Sequence, residues 1–181
     1  LHLESETPSH EKNKIINALT LDLVNHVNQD TILCFTGDLV NKGAKDFSDK
    51  DQAFHFFEKL FISPIINANP TLKGKIFLVP GNHDVYRNKI DEFSESGLKS
   101  GLSDVKSLDS FIQSNRDSSI HLNRLEDYKK WESDFYSRQN EKTTTNFEST
   151  FKLKIGNYQV GITCLNSSWL CKDESDKENL L

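Results

Sequence analysis

The chain predicts an α/β fold: a parallel sheet flanked by helices and carrying a polar helical insertion. Three observations carry this. The runs Thr31-Ile32-Leu33-Cys34-Phe35-Thr36 and Ile76-Phe77-Leu78-Val79-Pro80 are apolar throughout instead of alternating, the pattern of strands buried on both faces. Each follows a segment with helical spacing, so the order reads helix, strand, helix, strand. The length of 181 residues suits one domain with a real core.

The elements follow in order. Residues 11–28 place Ile15, Ile16, Leu19, Leu23, Val24 and Val27 on one stripe, the mark of an amphipathic helix. Asn28-Gln29-Asp30 makes a turn, and a strand occupies 31–36. A second helix over 51–62 carries Ala53, Phe54, Phe57, Leu60 and Phe61, and Pro64 limits its continuation. A strand over 75–79 follows Lys73-Gly74. From 86 to 145 serines and charges dominate; helical spacing is weak at Leu108, Phe111 and Ile112 and clearer at Leu125, Tyr128, Trp131, Phe135 and Tyr136. This reads as a polar helical insertion over one end of the sheet, with a mobile part near 94–103. Phe147–Ile155 and Tyr158–Leu165 read as two strands joined by the tight turn Gly156-Asn157.

Composition sets bounds on function. A net charge of −5 supplies no global basic field to recruit nucleic acid. No apolar run approaches the roughly 20 residues that span a bilayer, so no membrane partner is expected. The polar, acidic start Leu1-His2-Leu3-Glu4-Ser5-Glu6 does not read as a secretory leader. Three cysteines without a pairing pattern point to a reducing cytoplasm, with Cys34 and Cys164 inside apolar strands and Cys171 in a polar, exposed stretch. The chain has no Met and ends at Leu180-Leu181 after a charged run, so it is expected to be part of a longer protein with further domains.

Both strands end in metal-capable residues. The first runs into Gly37-Asp38-Leu39-Val40-Asn41-Lys42-Gly43, the second into Gly81-Asn82-His83-Asp84. In open parallel sheets ligands gather outside the carboxyl ends of strands. An amide oxygen, an imidazole and carboxylates brought together there suit divalent cations of borderline hardness. Gly37 and Gly81 precede the candidate ligands, where the strand turns sharply and side chains would crowd the ions.

This pair of motifs resembles the calcineurin-like metallophosphoesterase superfamily. Leu165-Asn166-Ser167-Ser168-Trp169, with Tyr86-Arg87 after Asp84, resembles a bacterial group with a Leu-Asn-Ser-x-Trp stretch that often forms the N-terminal domain of a larger protein. The resemblance implies a metallophosphoesterase-type β-sandwich flanked by helices, incomplete here. It divides the chain into a metal-site core (1–85), the insertion (86–145) and a return to the sheet (146–181). It also implies two divalent metal ions (Mn, Fe or Zn) hydrolysing a phosphomonoester or phosphodiester, with a nucleotide or nucleic acid among the compatible substrates.

By the same resemblance Asp38 bridges the ions, Asn82 is a ligand, and His83 acts on the leaving group as acid or charge stabiliser. Asp84 orients the His83 imidazole. Arg87 is either a phosphate contact or a structural ion pair, and Asn166 a substrate contact. Leu1-His2-Leu3 fits the family's Asp-x-His motif if an Asp precedes it, which makes His2 a ligand; in a rival register Ser5-Glu6-Thr7 occupies that position and the site is degenerate. The family's further His and Gly-His-x-His ligands do not occur before Leu181, so the isolated chain is expected to be inactive and to hold at most one weak ion. Asn41 stands where purple acid phosphatases carry a Tyr, which disfavours a ferric–tyrosinate centre. His10, His26, His55 and His121 read as surface residues, and Trp131 and Trp169 as packing. The alternative to an enzyme is a catalytically silent interaction domain of the same fold.

Overall fold

The computed structural model describes residues 2–117, 122–137, 139 and 141–172; His121 lies outside the described residues. Helix α1 (His10–His26) starts where the Ser9 hydroxyl accepts the Lys12 N–H at 3.2 Å, satisfying one orphan donor of the first turn. Strand β1 (Leu33–Phe35) pairs in parallel with β2 (Ile76–Leu78) in the register Leu33↔Ile76. Between them the chain is helical from Lys50 to Ala68, through α2 (Ala53–Phe57), a π-turn (Glu58–Ile62) and α3 (Ser63–Ala68).

Pro64 therefore does not end the second helix. A proline has no N–H and clashes with the carbonyl one turn back. The wide turn relieves both: Ser63 donates to the Glu58 carbonyl five residues earlier, and Pro64 enters as the opening residue of α3.

The region from 86 to 145 is more integral than a decoration. Helices α4 (Glu92–Gly101) and α5 (Val105–Ser114) start at Asp91 and Asp104, whose carboxylates accept Ser94 and Ser107 N–H groups. Residues 94–101, expected as part of a mobile stretch, are helical, and Glu95 is buried against the Arg124 guanidinium. Helix α6 (Glu126–Phe135) belongs to the core: Tyr128 and Trp131 are fully buried, and Trp131 stacks on Phe54 at 5.5 Å while its Nε1 donates to Glu58 at 2.9 Å. Trp169 stacks on Phe111 at 5.6 Å. Both tryptophans are packing residues, as their spacing predicts.

Strands β3 (Lys142–Thr144), β4 (Glu148–Ile155) and β5 (Tyr158–Leu165) form an antiparallel sheet. The β4–β5 hairpin turns on Gly156 at φ +56°, a left-handed residue at the first central position, which two-residue hairpins favour. The two sheets meet where Phe77 packs on Phe151 at 5.0 Å.

Burial departs from expectation in two places. β2 is covered on both sides, but Cys34 at the centre of β1 is exposed, because no described element lies over that face. Ile15 and Leu19 on α1 are also exposed; Leu19 borders a groove shared with Leu33, Phe35 and Phe61. Cys171, expected at the surface, is buried. Its segment folds back on the second strand-end loop, where the Ser168 hydroxyl donates to the Pro80 carbonyl at 3.0 Å.

Candidate metal centre

Parallel pairing sets the carboxyl ends of β1 and β2 side by side, and Val79 N–H bonds the Phe35 carbonyl at 3.0 Å. The two loops beyond them touch through glycine. Gly37 has φ +108°, and a Cβ there would lie 2.7 Å from the Gly81 Cα. A Cβ on Gly81 would collide with the Asp38 carboxylate. The crowding that demands glycine is thus between the loops themselves. Asp38 and His2 adopt left-handed backbone at φ 56° and 50°, a sparsely populated region for non-glycine residues that clusters at functional sites.

These strained residues converge. His2 Nε2 lies 3.1 Å from Asp38 Oδ2, and the His83 backbone N–H donates to Asp38 Oδ1 at 3.2 Å. The His2 and His83 rings are 4.4 Å apart between centroids. One ligand-capable atom from each of His2, Asp38 and His83 falls within 4.8 Å of the others. Asn82 sits beside them on the same short helical turn, Asn82–Asp84. The N-terminal strand fragment is positioned by parallel bonds, His2 N–H to the Asp38 carbonyl at 2.9 Å and Leu3 N–H to the Leu39 carbonyl at 3.0 Å. Of the two registers, this geometry places His2 in the cluster, while Glu6 is engaged at Ser48.

A family model described as calcineurin-like phosphoesterase matches residues 10–148, most of the chain. The chain belongs to the calcineurin-like phosphoesterase family. No curated protein and no solved structure matches it. The matched span includes Asp38, Asn82, His83 and α4–α6, so the insertion lies within the family match.

Within this calcineurin-like phosphoesterase chain, Asp84 has a different job from the one expected. It is fully buried, and its two carboxylate oxygens accept the Val40 N–H at 2.9 Å and the Gly81 N–H at 2.8 Å. It ties the two strand-end loops together, and the oxygen facing His83 Nδ1 is Asn41 Oδ1 at 3.1 Å. Asp84 lies on a different side because a residue directly after His83 on a tight turn points away from it, toward the interior. Burial pushes its carboxyl up to about 7, with the Asp38 charge adding to the rise and the Val40 and Gly81 donors opposing it.

Asn41 is the residue that motif reading missed. Its place three positions after Asp38 carried a hint, but only packing of the two loops brings it to the imidazole.

Arg87 is partly buried, and its Nε is buried without a hydrogen-bond partner among the described residues, so an internal ion pair does not account for that atom. Asn166 is buried and its amide is engaged at both ends, Nδ2 on the Asn146 carbonyl at 2.9 Å and Oδ1 on the Ser168 N–H at 2.9 Å. It shapes the exit of β5; the substrate contact expected of it gives way to that structural role. His10, His26 and His55 are exposed and outside the cluster. The donor set of two imidazoles and a carboxylate fits a borderline divalent cation with positions left for water or substrate.

Proposed function

We propose that the chain carries the metal-dependent centre of a phosphoester hydrolase acting on a phosphomonoester or phosphodiester, with nucleotides or nucleic-acid ends as compatible substrates. The supporting observation is the convergence of His2, Asp38 and His83 at the carboxyl end of a parallel strand pair in a calcineurin-like phosphoesterase. His2, Asp38 and Asn82 would hold divalent ions (Mn, Fe or Zn), two in the intact protein. The chemistry such ions supply is charge neutralisation on the phosphoryl oxygens and activation of water.

The chain's own groups do the rest. Asp38 holds the centre of the cluster, fixed by the His83 backbone N–H. The His83 imidazole faces the leaving group and donates or stabilises charge there. Arg87, whose Nε lacks an internal partner, offers a planar fork to a phosphate oxygen. Asp84 keeps the two loops in register. A cytoplasmic setting is part of this reading, and Cys34, Cys164 and Cys171 are free thiols in keeping with it. Among the described residues no helix is long and apolar enough to cross a membrane.

The test is Asp38→Asn in the intact protein. Tight metal binding and hydrolysis of a generic aryl phosphate should disappear together. Full activity with normal metal content would remove Asp38 from the centre. A wild-type protein that binds metal tightly yet hydrolyses no phosphoester would be a silent scaffold.

A further inference from the structure

We propose that Asn41 is the positioning residue of His83: its side-chain oxygen keeps the imidazole proton on Nδ1, leaving Nε2 as the nitrogen offered to the His2–Asp38 cluster. The inference deepens the phosphoesterase reading and rests on it for its catalytic meaning. Three observations carry it. Asn41 Oδ1 lies 3.1 Å from His83 Nδ1. An amide oxygen only accepts, so the ring nitrogen it faces must hold the proton, and the bond made at one imidazole nitrogen decides the state of the other. With Nδ1 so engaged, Nε2 is the atom His83 contributes to the grouping with His2 and Asp38.

The acceptor is itself held in place. The Asn41 N–H bonds the Leu3 carbonyl at 2.9 Å, and its own carbonyl accepts the Ala44 N–H at 2.9 Å. The turn that follows runs through three left-handed residues, Lys42, Gly43 and Ala44. Gly43 is pressed against the next loop, where a Cβ would lie 3.0 Å from the Tyr86 Cα. Asn41 and His83 therefore stand on two loops locked together at Gly37–Gly81, Val40–Asp84 and Gly43–Tyr86. The amide also brings no charge. It fixes ring plane and tautomer without placing a third carboxylate beside Asp38 and Asp84.

The experiment is long-range proton–nitrogen NMR of the His83 imidazole in the full chain without added metal, at about pH 8, above the ordinary imidazole range. Wild type and Asn41→Asp, which keeps an acceptor, should show the Nδ1–H form. Asn41→Leu should lose it, and Asn41→Ala serves if the leucine variant fails to fold. With Mn2+ and an aryl phosphate, Asn41→Leu should lower kcat about 10–100-fold, the usual cost of removing an orienting partner, with KM little changed and activity restored in Asn41→Asp. An Nε2–H form in wild type, or an unchanged tautomer in Asn41→Leu, would overturn the proposal even if activity falls. A tautomer that shifts as expected in a protein without hydrolytic activity would support the positioning and remove the phosphoesterase reading instead.

Discussion

At the residue scale His83 answers to two descriptions. Its imidazole belongs to the grouping with His2 and Asp38, yet its proposed work is on the leaving group. His83→Ala separates them. Loss of a general acid costs about 10²–10⁴-fold in rate, so the variant should keep most of its metal and lose activity, most severely on poor leaving groups. Loss of the metal, measured by elemental analysis after dialysis, would make His83 a ligand. Asp84 gives a second test. Its folded carboxyl is pushed up to about 7, against about 3.9 when unfolded. The folded state then binds the proton more tightly than the unfolded state. Its ionisation therefore costs no stability below about pH 4, a growing amount from there to about 7, and a constant amount above. In metal-free protein the urea midpoint of Asp84→Asn should gain on wild type across that window. A pH-independent difference would mean that the buried carboxyl titrates normally.

At the scale of elements, α6 decides whether 86–145 is an added layer or part of the domain. Trp131 is sandwiched among Phe54, Phe57 and Tyr128, and its indole N–H is satisfied by Glu58. Truncating a buried tryptophan typically costs about 3–5 kcal/mol. Trp131→Ala should therefore destabilise the whole chain by that order in denaturant titration, with one cooperative transition. A stability loss under about 1 kcal/mol would return α6 to the status of a surface layer. The π-turn before Pro64 is a smaller lesson at the same scale. Proline rules out a regular continuation, but one extra residue in the turn removes the donor requirement and lets the helix run on.

For the whole molecule, the described donors gather around one point, not two. His2, Asp38 and His83 group within 4.8 Å, and three ligands with open positions suit a single cation. Calorimetric titration of this chain with Mn2+ should thus find one site, weak enough to be emptied by dialysis. A ligand that binds only the folded state raises stability by mass action, so the same titration should raise the midpoint of thermal unfolding in a concentration-dependent way. Two tightly held equivalents would show that further donors enter the site.

The residue order by itself determined what depends on near neighbours. Apolar runs ending in Gly37-Asp38 and Gly81-Asn82-His83-Asp84 named both strands and their ligand-bearing ends, and Gly156-Asn157 named the hairpin turn, because strand pattern and turn conformation are local properties. Only tertiary structure decided which atom meets which across the two loops. Asp84 is adjacent to His83 in sequence but turns inward to Val40 and Gly81, while Asn41, more than forty residues earlier, supplies the oxygen on the ring. The cysteines exchanged places for the same reason: Cys34 lies in an apolar strand whose outer face no described element covers, and Cys171 lies in a polar stretch that folds back under Pro80. Burial is a property of what packs from elsewhere in the chain, and no local pattern of residues contains it.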